Sequence, residues 1–398
     1  MTRQEVYNNC LQSLSTHTSL LLQLPTGYGK SKLSIDIINY LCDTVYKDKE
    51  TTMLLLVAKR VHKQTWKEEF SKWGGIKVSN IIIECYESMH KHTQKSFDFL
   101  LMDEVHHVGS ELRLASLKHI TFSYMLGLSA TIPFNLRQYF RFKYSADVIQ
   151  CSISEAIEDA ILPEPQILLL PLSLDNTRLS ETIEVNAKAP GPIIQGEYKD
   201  RWKFKKSKQH AILKCTQRQK LIEMGDLISW EKSLYMRNHN EALKQSWLFH
   251  AGKRLEFLSD CKIAWVKLIL QRLKNSRTIT FCKTIAQTEL LGSNCIHSKN
   301  KDAENLYNDF NAKKIDHITA VNILNENANL VDCKYAIFTN LSSSDRIMLQ
   351  RTGRALRHPS PVIIIPYFEG TREHEIVSDL ITEFDKEYIK TLNSYTEI

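Results

Sequence analysis

The chain has no Cys-x2-Cys pair, no His-Glu-x-x-His segment and no uninterrupted apolar run long enough to span a bilayer. The first two absences leave His106 and His107 without a zinc-binding pattern, and the third excludes an apolar membrane-spanning helix. The nine cysteines are odd in number and scattered, which suits reduced thiols inside a cell better than a disulfide framework. No signal-peptide pattern precedes Arg3, so a cytoplasmic protein is expected. There is no internal repeat. No Pro-Asp followed by Glu-x-Lys near a strand stands out, so any nuclease activity would have to come from another chain.

What is present describes an ordinary globular protein with room for two sizeable cores. It has 398 residues, 43% hydrophobic and 24% charged, with a net charge of +7 that permits a polyanionic partner. Short apolar runs alternate with helical patterns over residues 1–150: Leu20–Leu24, Met53–Ala58, Ser79–Glu84, Phe97–Met102 and Ser123–Leu128. Residues 151–261 read as a mainly helical linker or insert, with a possible strand at Ile167–Leu172 and a Gly/Pro-rich stretch at Ala187–Gly196. Strand–helix alternation returns over 262–370, with Thr278–Phe281, Tyr335–Thr339 and Pro361–Pro366 as strands, and 371–398 reads as a C-terminal helix. The expected fold class is α/β: two P-loop-type domains around a helical segment.

Two segments carry the chemistry. The first is Leu-Pro-Thr-Gly-Tyr-Gly-Lys-Ser at Leu24–Ser31, between an apolar strand and a helix beginning near Lys30. Thr26, Gly27 and Gly29 belong to a loop whose glycines let backbone amides face an anion. The following helix adds its dipole and unpaired N–H groups. Lys30 supplies a cation for terminal phosphates and Ser31 a hydroxyl for Mg2+. Taken alone, the segment could still be a chance glycine turn, because Leu24 stands where the full P-loop pattern has glycine. The second segment, Asp103-Glu104-Val105-His106-His107, follows the apolar run Phe97–Met102. An Asp at a strand end can hold Mg2+, and the adjacent Glu can orient and deprotonate a water. Together, in this order, the two specify a nucleoside-triphosphate site.

In the last third, Arg351, Arg354 and Arg357 recur every three residues on an expected helix, within Gln350–Arg357. The pattern fits either a solvated basic face or a pair of arginines aimed at a phosphate from another domain. Two further basic segments are candidates for nucleic acid. Lys59 and Arg60 lie at a strand end, followed by Trp66, whose helical spacing favours a core position over base stacking. Arg201–Lys208 interleaves Trp202 and Phe204 with Lys203, Lys205 and Lys206, as a phosphate-gripping strand or loop does, or a surface hairpin with its aromatic side turned inward.

The ordered motifs resemble those of superfamily 2 helicases and translocases with two RecA-like domains. More narrowly, the chain is similar to bacterial and phage enzymes grouped with type III restriction subunits and related DNA-dependent ATPases. Leu24–Ser31 matches the first helicase motif, in which the missing leading glycine is normal. Leu54–Arg60 matches the segment whose basic residues, here Lys59 and Arg60, touch the nucleic-acid backbone. Asp103–His106 is similar to a DExH box, and Leu128-Ser129-Ala130-Thr131 to the motif that links nucleotide state to nucleic-acid binding. Thr280–Thr284 resembles the fourth motif and Gln350–Arg357 the sixth, whose Arg354 and Arg357 positions meet the γ-phosphate. The resemblance implies adenine recognition by Gln4, and roles in coupling for His106, Ser129, Thr131 and Gln350. In the fifth motif Glu326 and Asn329 fit, Glu326 on the nucleotide side, but Asn327 replaces glycine. Asn tolerates a left-handed backbone, so the turn can survive. Ser343 and Ser344 read as helix caps in preference to contacts with the nucleic-acid backbone or nucleotide.

The implied activity is that of a DNA helicase or translocase: Mg-ATP hydrolysis, with ATP and Mg2+ as cofactors, coupled to movement on or remodelling of DNA by closure of one lobe on the other. An RNA helicase and a non-motor loading or scaffold factor are the alternatives. A monomer is expected, in a bacterial or phage-infected cell, with replication or recombination proteins as partners and no membrane association.

Overall fold

The computed structural model describes residues 2–47, 49–321, 330–341, 358–382 and 384–398. Glu326, Gln350, Arg351, Arg354 and Arg357, with Asn327, Ser343 and Ser344, lie outside the described residues.

The first sheet is built largely from apolar runs, buried through its inner strands and part-exposed at its two edges. Its strands are β1 (Ser19–Gln23), β2 (Thr52–Val57), β3 (Asn80–Cys85), β4 (Ser96–Asp103), β5 (Thr121–Ser129) and β6 (Asp147–Gln150). All pair in parallel, in the order β3-β2-β4-β5-β1-β6. Parallel strands need crossover helices, and helices on both faces demand apolar residues at nearly every position. Successive residues therefore feed opposite cores. Leu20 and Leu22 join one cluster and Leu21 the other; Leu55 and Leu101 go with the first, Leu54 and Leu100 with the second. The helices α1 (Arg3–Leu14), α2 (Lys30–Leu41) and α3 (Arg60–Lys72) contribute Val6, Ile35 and Trp66 to the first cluster.

The middle stretch holds more than helices. Strand β7 (Gln166–Leu172) leaves the first domain and enters the sheet of the second, pairing with a strand almost two hundred residues later in the chain. Then β8 (Glu181–Val185), β9 (Ile194–Glu197) and β10 (Ala211–Cys215) form a small sheet of order β8-β10-β9 with its own apolar cluster. The helices Gln217–Asn238 and Glu241–Cys261 follow as an antiparallel pair.

The second large sheet adds β11 (Thr278–Phe281), β12 (Cys295–Ile296), β13 (His317–Ala320), β14 (Tyr335–Phe338), β15 (Val362–Phe368) and β16 (Ile389–Thr391). Its order is β12-β13-β11-β14-β15-β7-β16, again parallel throughout. The stretch 371–398 is thus not one helix. The helix ends at Ile381, and Ile389–Thr391 closes the sheet edge beside β7. All nine cysteines are free, and eight are buried. No helix among the described residues is long and apolar enough to cross a membrane.

Candidate active site

In a parallel sheet all strands end on one edge, and the loops leaving that edge meet in a crevice. Here β1, β2, β4 and β5 deliver the four segments singled out from the sequence to a single edge. The Leu24 N–H donates to the Ser129 carbonyl at 3.0 Å, tying the loop after β1 to the end of β5. Gly27 and Gly29 have φ of 92° and 98°, values at which an L side chain is strained. They turn the loop so that α2 begins at Lys30, directly after Gly29, which has no side chain to cap the helix. The Lys30 ammonium donates to the Leu24 carbonyl at 2.9 Å and the Pro25 carbonyl at 3.3 Å, folding back over the loop it follows.

Asp103 ends β4, and Glu104 turns sharply with φ 51° and ψ 58°. A glutamate in this left-handed conformation costs about 1–3 kcal/mol and persists only where its surroundings enforce it. One enforcing contact comes from Gly127 in β5. A Cβ there would stand 2.7 Å from Leu21 Cδ2 and 3.1 Å from Val105 Cγ2, so only glycine lets Val105 seat against the sheet directly after Glu104.

Asp103 and Glu104 are both buried, at 8% and 7% exposure. The indole Nε1–H of Trp66 donates to Asp103 Oδ2 at 2.9 Å, and the Tyr86 hydroxyl donates to the Asp103 carbonyl at 2.9 Å. Trp66 is therefore in the core, as its helical spacing suggests, and it also orients the carboxylate. Glu104 Oε2 lies 3.1 Å from the Ser129 hydroxyl and 3.4 Å from His106 Nδ1. Ser129 Oγ is 2.9 Å from His106 Nδ1, accepts from the Thr131 N–H at 3.3 Å, and lies 2.7 Å from the Thr131 carbonyl. A hydroxyl has one proton to give, so donation to Glu104 competes with donation to Thr131. Burial raises the Glu104 pKa, and Lys30 opposes this; Asp103 raises it further, and the Ser129 hydrogen bond lowers it.

Gly27, Gly29, Lys30, Trp66, Asp103 and Glu104 line a cleft of about 1800 Å³, which also takes in Arg3, Gln4, Thr26 and Ser31. From the second lobe it is lined by Ile296, Glu304 and Tyr307, among others. Gln4 is exposed and donates to Asn8 Oδ1 at 3.0 Å, whereas Arg3 Nε donates to the Tyr28 carbonyl at 3.0 Å and braces the phosphate loop. The loop and the donor set fit a nucleoside triphosphate with Mg2+. Positive-φ glycines and helix amides suit phosphate oxygens, and a hydroxyl with a carboxylate suits a hard cation that keeps several waters. Lys59 is the residue before α3 and Arg60 its first residue; both are exposed, on the same sheet edge. Lys203, Lys205 and Lys206 lie far along the chain on a short helix, Arg201–Ser207, rather than on a strand or loop. Sequence reasoning did not find Arg3, Tyr86 or the lining from Glu304 and Tyr307.

Residues 2–134 match the family described as type III restriction enzyme, res subunit, and residues 261–359 match the helicase conserved C-terminal domain. The chain is 22% identical over 359 residues to the DNA 3'-5' translocase XPB2 of Sulfurisphaera tokodaii, covering 85% of this chain and 74% of that protein. It is 28% identical over 137 residues to the ATP-dependent RNA helicase DHH1 of Encephalitozoon cuniculi, covering 32% of this chain and 28% of the relative. The helicase domain of Pyrococcus furiosus Hef shares the fold, with a TM-score of 0.53 at 13% identity over 95% of this chain and 97% of that one. The chain is a superfamily 2 helicase or translocase with two RecA-like domains, an ATP-hydrolysing enzyme related to the helicase subunits of restriction enzymes.

Proposed function

We propose that the enzyme couples Mg-ATP hydrolysis to movement on DNA. The observation that carries the coupling is the chain of hydrogen bonds from buried Glu104 through Ser129 to His106 and the half-buried Thr131. It joins the carboxylate best placed to take a proton from water to the strand-end segment beside it. In this reading Lys30 and the loop amides hold the terminal phosphates, and Ser31 and Asp103 hold the cation. When bound, Mg2+ neutralises phosphate charge and fixes the phosphate oxygens. Trp66 keeps Asp103 oriented toward the cleft. Glu104 orients the attacking water and accepts its proton. By the family resemblance, Arg354 and Arg357 supply cations for the γ-phosphate, Glu326 serves the nucleotide and Gln350 serves coupling. Gln4 reads the base. Lys59 and Arg60 hold the nucleic-acid backbone.

DNA is preferred over RNA because the similarity to a DNA translocase runs through both lobes, whereas that to an RNA helicase covers about a third of the chain. Matched single-stranded, duplex and forked DNA and RNA oligomers are expected to separate in steady-state ATPase assays, DNA stimulating at least about tenfold more than RNA. The 2′-hydroxyl is the physical discriminator. Equal or greater stimulation by RNA overturns the DNA reading.

The coupling has a pH signature. Glu104 works as a base only when ionised, and burial raises its pKa. The acid limb of kcat/KM therefore falls above the range of an exposed glutamate. Ser129→Ala removes a hydrogen bond that favours the carboxylate, so the limb moves to still higher pH. An unmoved pH–rate profile in S129A means that Ser129 does not tune the base.

A further inference from the structure

The small sheet β8-β10-β9 carries the helix Arg201–Ser207, and Phe204 anchors that helix by its buried ring within the apolar cluster of Ile183, Val185 and Leu213. With Phe204 turned down, Trp202 is turned out. Its indole is 58% exposed, among the larger exposures of an aromatic side chain in the described residues. The segment from Arg201 to Lys208 contains five basic residues and no acidic one.

These cations divide into two sets. Glu223, on the helix Gln217–Asn238, accepts from Arg201 at 2.7 Å and Lys205 at 2.8 Å, and lies 3.3 Å from the Tyr198 hydroxyl. The same two cations lie 4.9 Å from the Trp202 ring centroid. Arg201 and Lys205 are thereby struts. They fix the helix to its neighbour and limit the swing of the indole, which lowers the entropy lost when something stacks on it. Lys203 and Lys206 are exposed on the same helix and are not held by Glu223.

Glu223 balances Arg201 and Lys205, and Asp200 precedes the helix, so Lys203 and Lys206 are the cations left to meet a ligand beside the exposed indole, an arrangement that suits an unpaired base between two phosphates. Duplex DNA hides its base faces in the stack, whereas a single strand offers them. We propose that Trp202, Lys203 and Lys206 form a contact for single-stranded nucleic acid, with a base stacked on Trp202 and the flanking phosphates on the two lysines. The proposal rests on the reading of the enzyme as a nucleic-acid motor and specifies the strand form that it grips outside the two lobes.

The test compares binding, without nucleotide, of an oligo-dT and an abasic oligomer of equal length and charge to the full chain, by fluorescence anisotropy over a salt series. The wild type is expected to favour oligo-dT. Trp202→Ala should reduce oligo-dT affinity by roughly 5- to 100-fold while leaving abasic binding and the salt slope unchanged. Trp202→Phe should restore most of the preference. The double variant Lys203→Ala, Lys206→Ala should flatten the salt slope by about 0.7 per lysine and keep the base preference. Wild-type discrimination between the two oligomers in W202A overturns the proposal, as does loss of binding confined to duplex, which marks a phosphate patch without stacking. Loss of binding to an acidic protein partner with oligomer binding intact overturns it in favour of a protein interface. The functional reading is tested separately by ATPase stimulation: W202A stimulated normally at saturating DNA leaves that reading standing when the contact fails. A wild type that no nucleic acid stimulates removes the reading, whatever the oligomers show.

Discussion

Lys30→Ala and Glu104→Gln are each expected to lower steady-state ATP hydrolysis by about 100-fold or more, the range seen when a phosphate-stabilising cation or a general base is removed. The two losses differ in kind. Lys30 folds over the phosphate loop, so its removal should weaken nucleotide binding as well as turnover. In the proposed mechanism Glu104 contributes a proton acceptor, so its glutamine variant should bind ATP near normally and fail in chemistry. Binding of a fluorescent ATP analogue beside single-turnover hydrolysis separates them. Near-normal turnover in either variant removes that residue from its assigned role.

Glu104→Gln carries a second, opposite expectation. Burial raises the carboxyl pKa in the folded protein above its unfolded value. The stability of such a group is fully present below the unfolded pKa and is lost as pH rises through the folded pKa. Near neutral pH the ionised carboxylate therefore costs stability, and the neutral glutamine relieves that cost. The variant should be inactive yet melt at a higher temperature than wild type at pH 7–8, with the difference shrinking in acid. A lower melting temperature at neutral pH means that the Ser129 and Lys30 interactions outweigh the burial cost.

Arg357→Ala is expected to retain ATP affinity within a few-fold and to lose turnover by about 1000-fold, roughly 4 kcal/mol of transition-state stabilisation. The structure sharpens the reason. Among the described residues, the second lobe lines the cleft with Ile296, Ala303, Glu304, Tyr307 and Asn308, none of them cationic. The charge that develops on the transferred phosphoryl group needs a cation on that side. The sequence offers Arg354 and Arg357 in the segment that follows β14, beyond the described residues. Arg357→Lys should recover only part of the loss, because an ammonium cannot reproduce the forked guanidinium contact. Unchanged turnover in the alanine variant returns the arginines to a solvated face.

The phosphate loop, the acidic pair and the strand–helix rhythm were legible because each is written over a few consecutive residues. Glycines at 27 and 29 dictate a turn, and an apolar run of five or six dictates a strand buried on both faces, whatever it pairs with. The assigned strand ends moved by only one or two residues, within the fraying of such elements. The order of the motifs then determined the class of enzyme. The strand at Ile167–Leu172 was visible too, but not its destination.

The rest depended on partners that no local spacing encodes. Trp66 reaches Asp103 across 37 residues, Ser129 reaches Glu104 across 25, and Arg3 reaches Tyr28 across 25. Strand β7 leaves the first domain to complete the second sheet, and Ile389–Thr391 becomes an edge strand within what reads as a helix. A parallel strand names no neighbour in its own sequence, since the inner strands are alike in being mostly apolar and the pairing is decided by which arrangement buries all faces together. The residues by themselves determined that this protein binds and splits a nucleotide; the tertiary structure decided which groups hold the two carboxylates in place, because buried polar atoms must find donors wherever the packed chain happens to bring them.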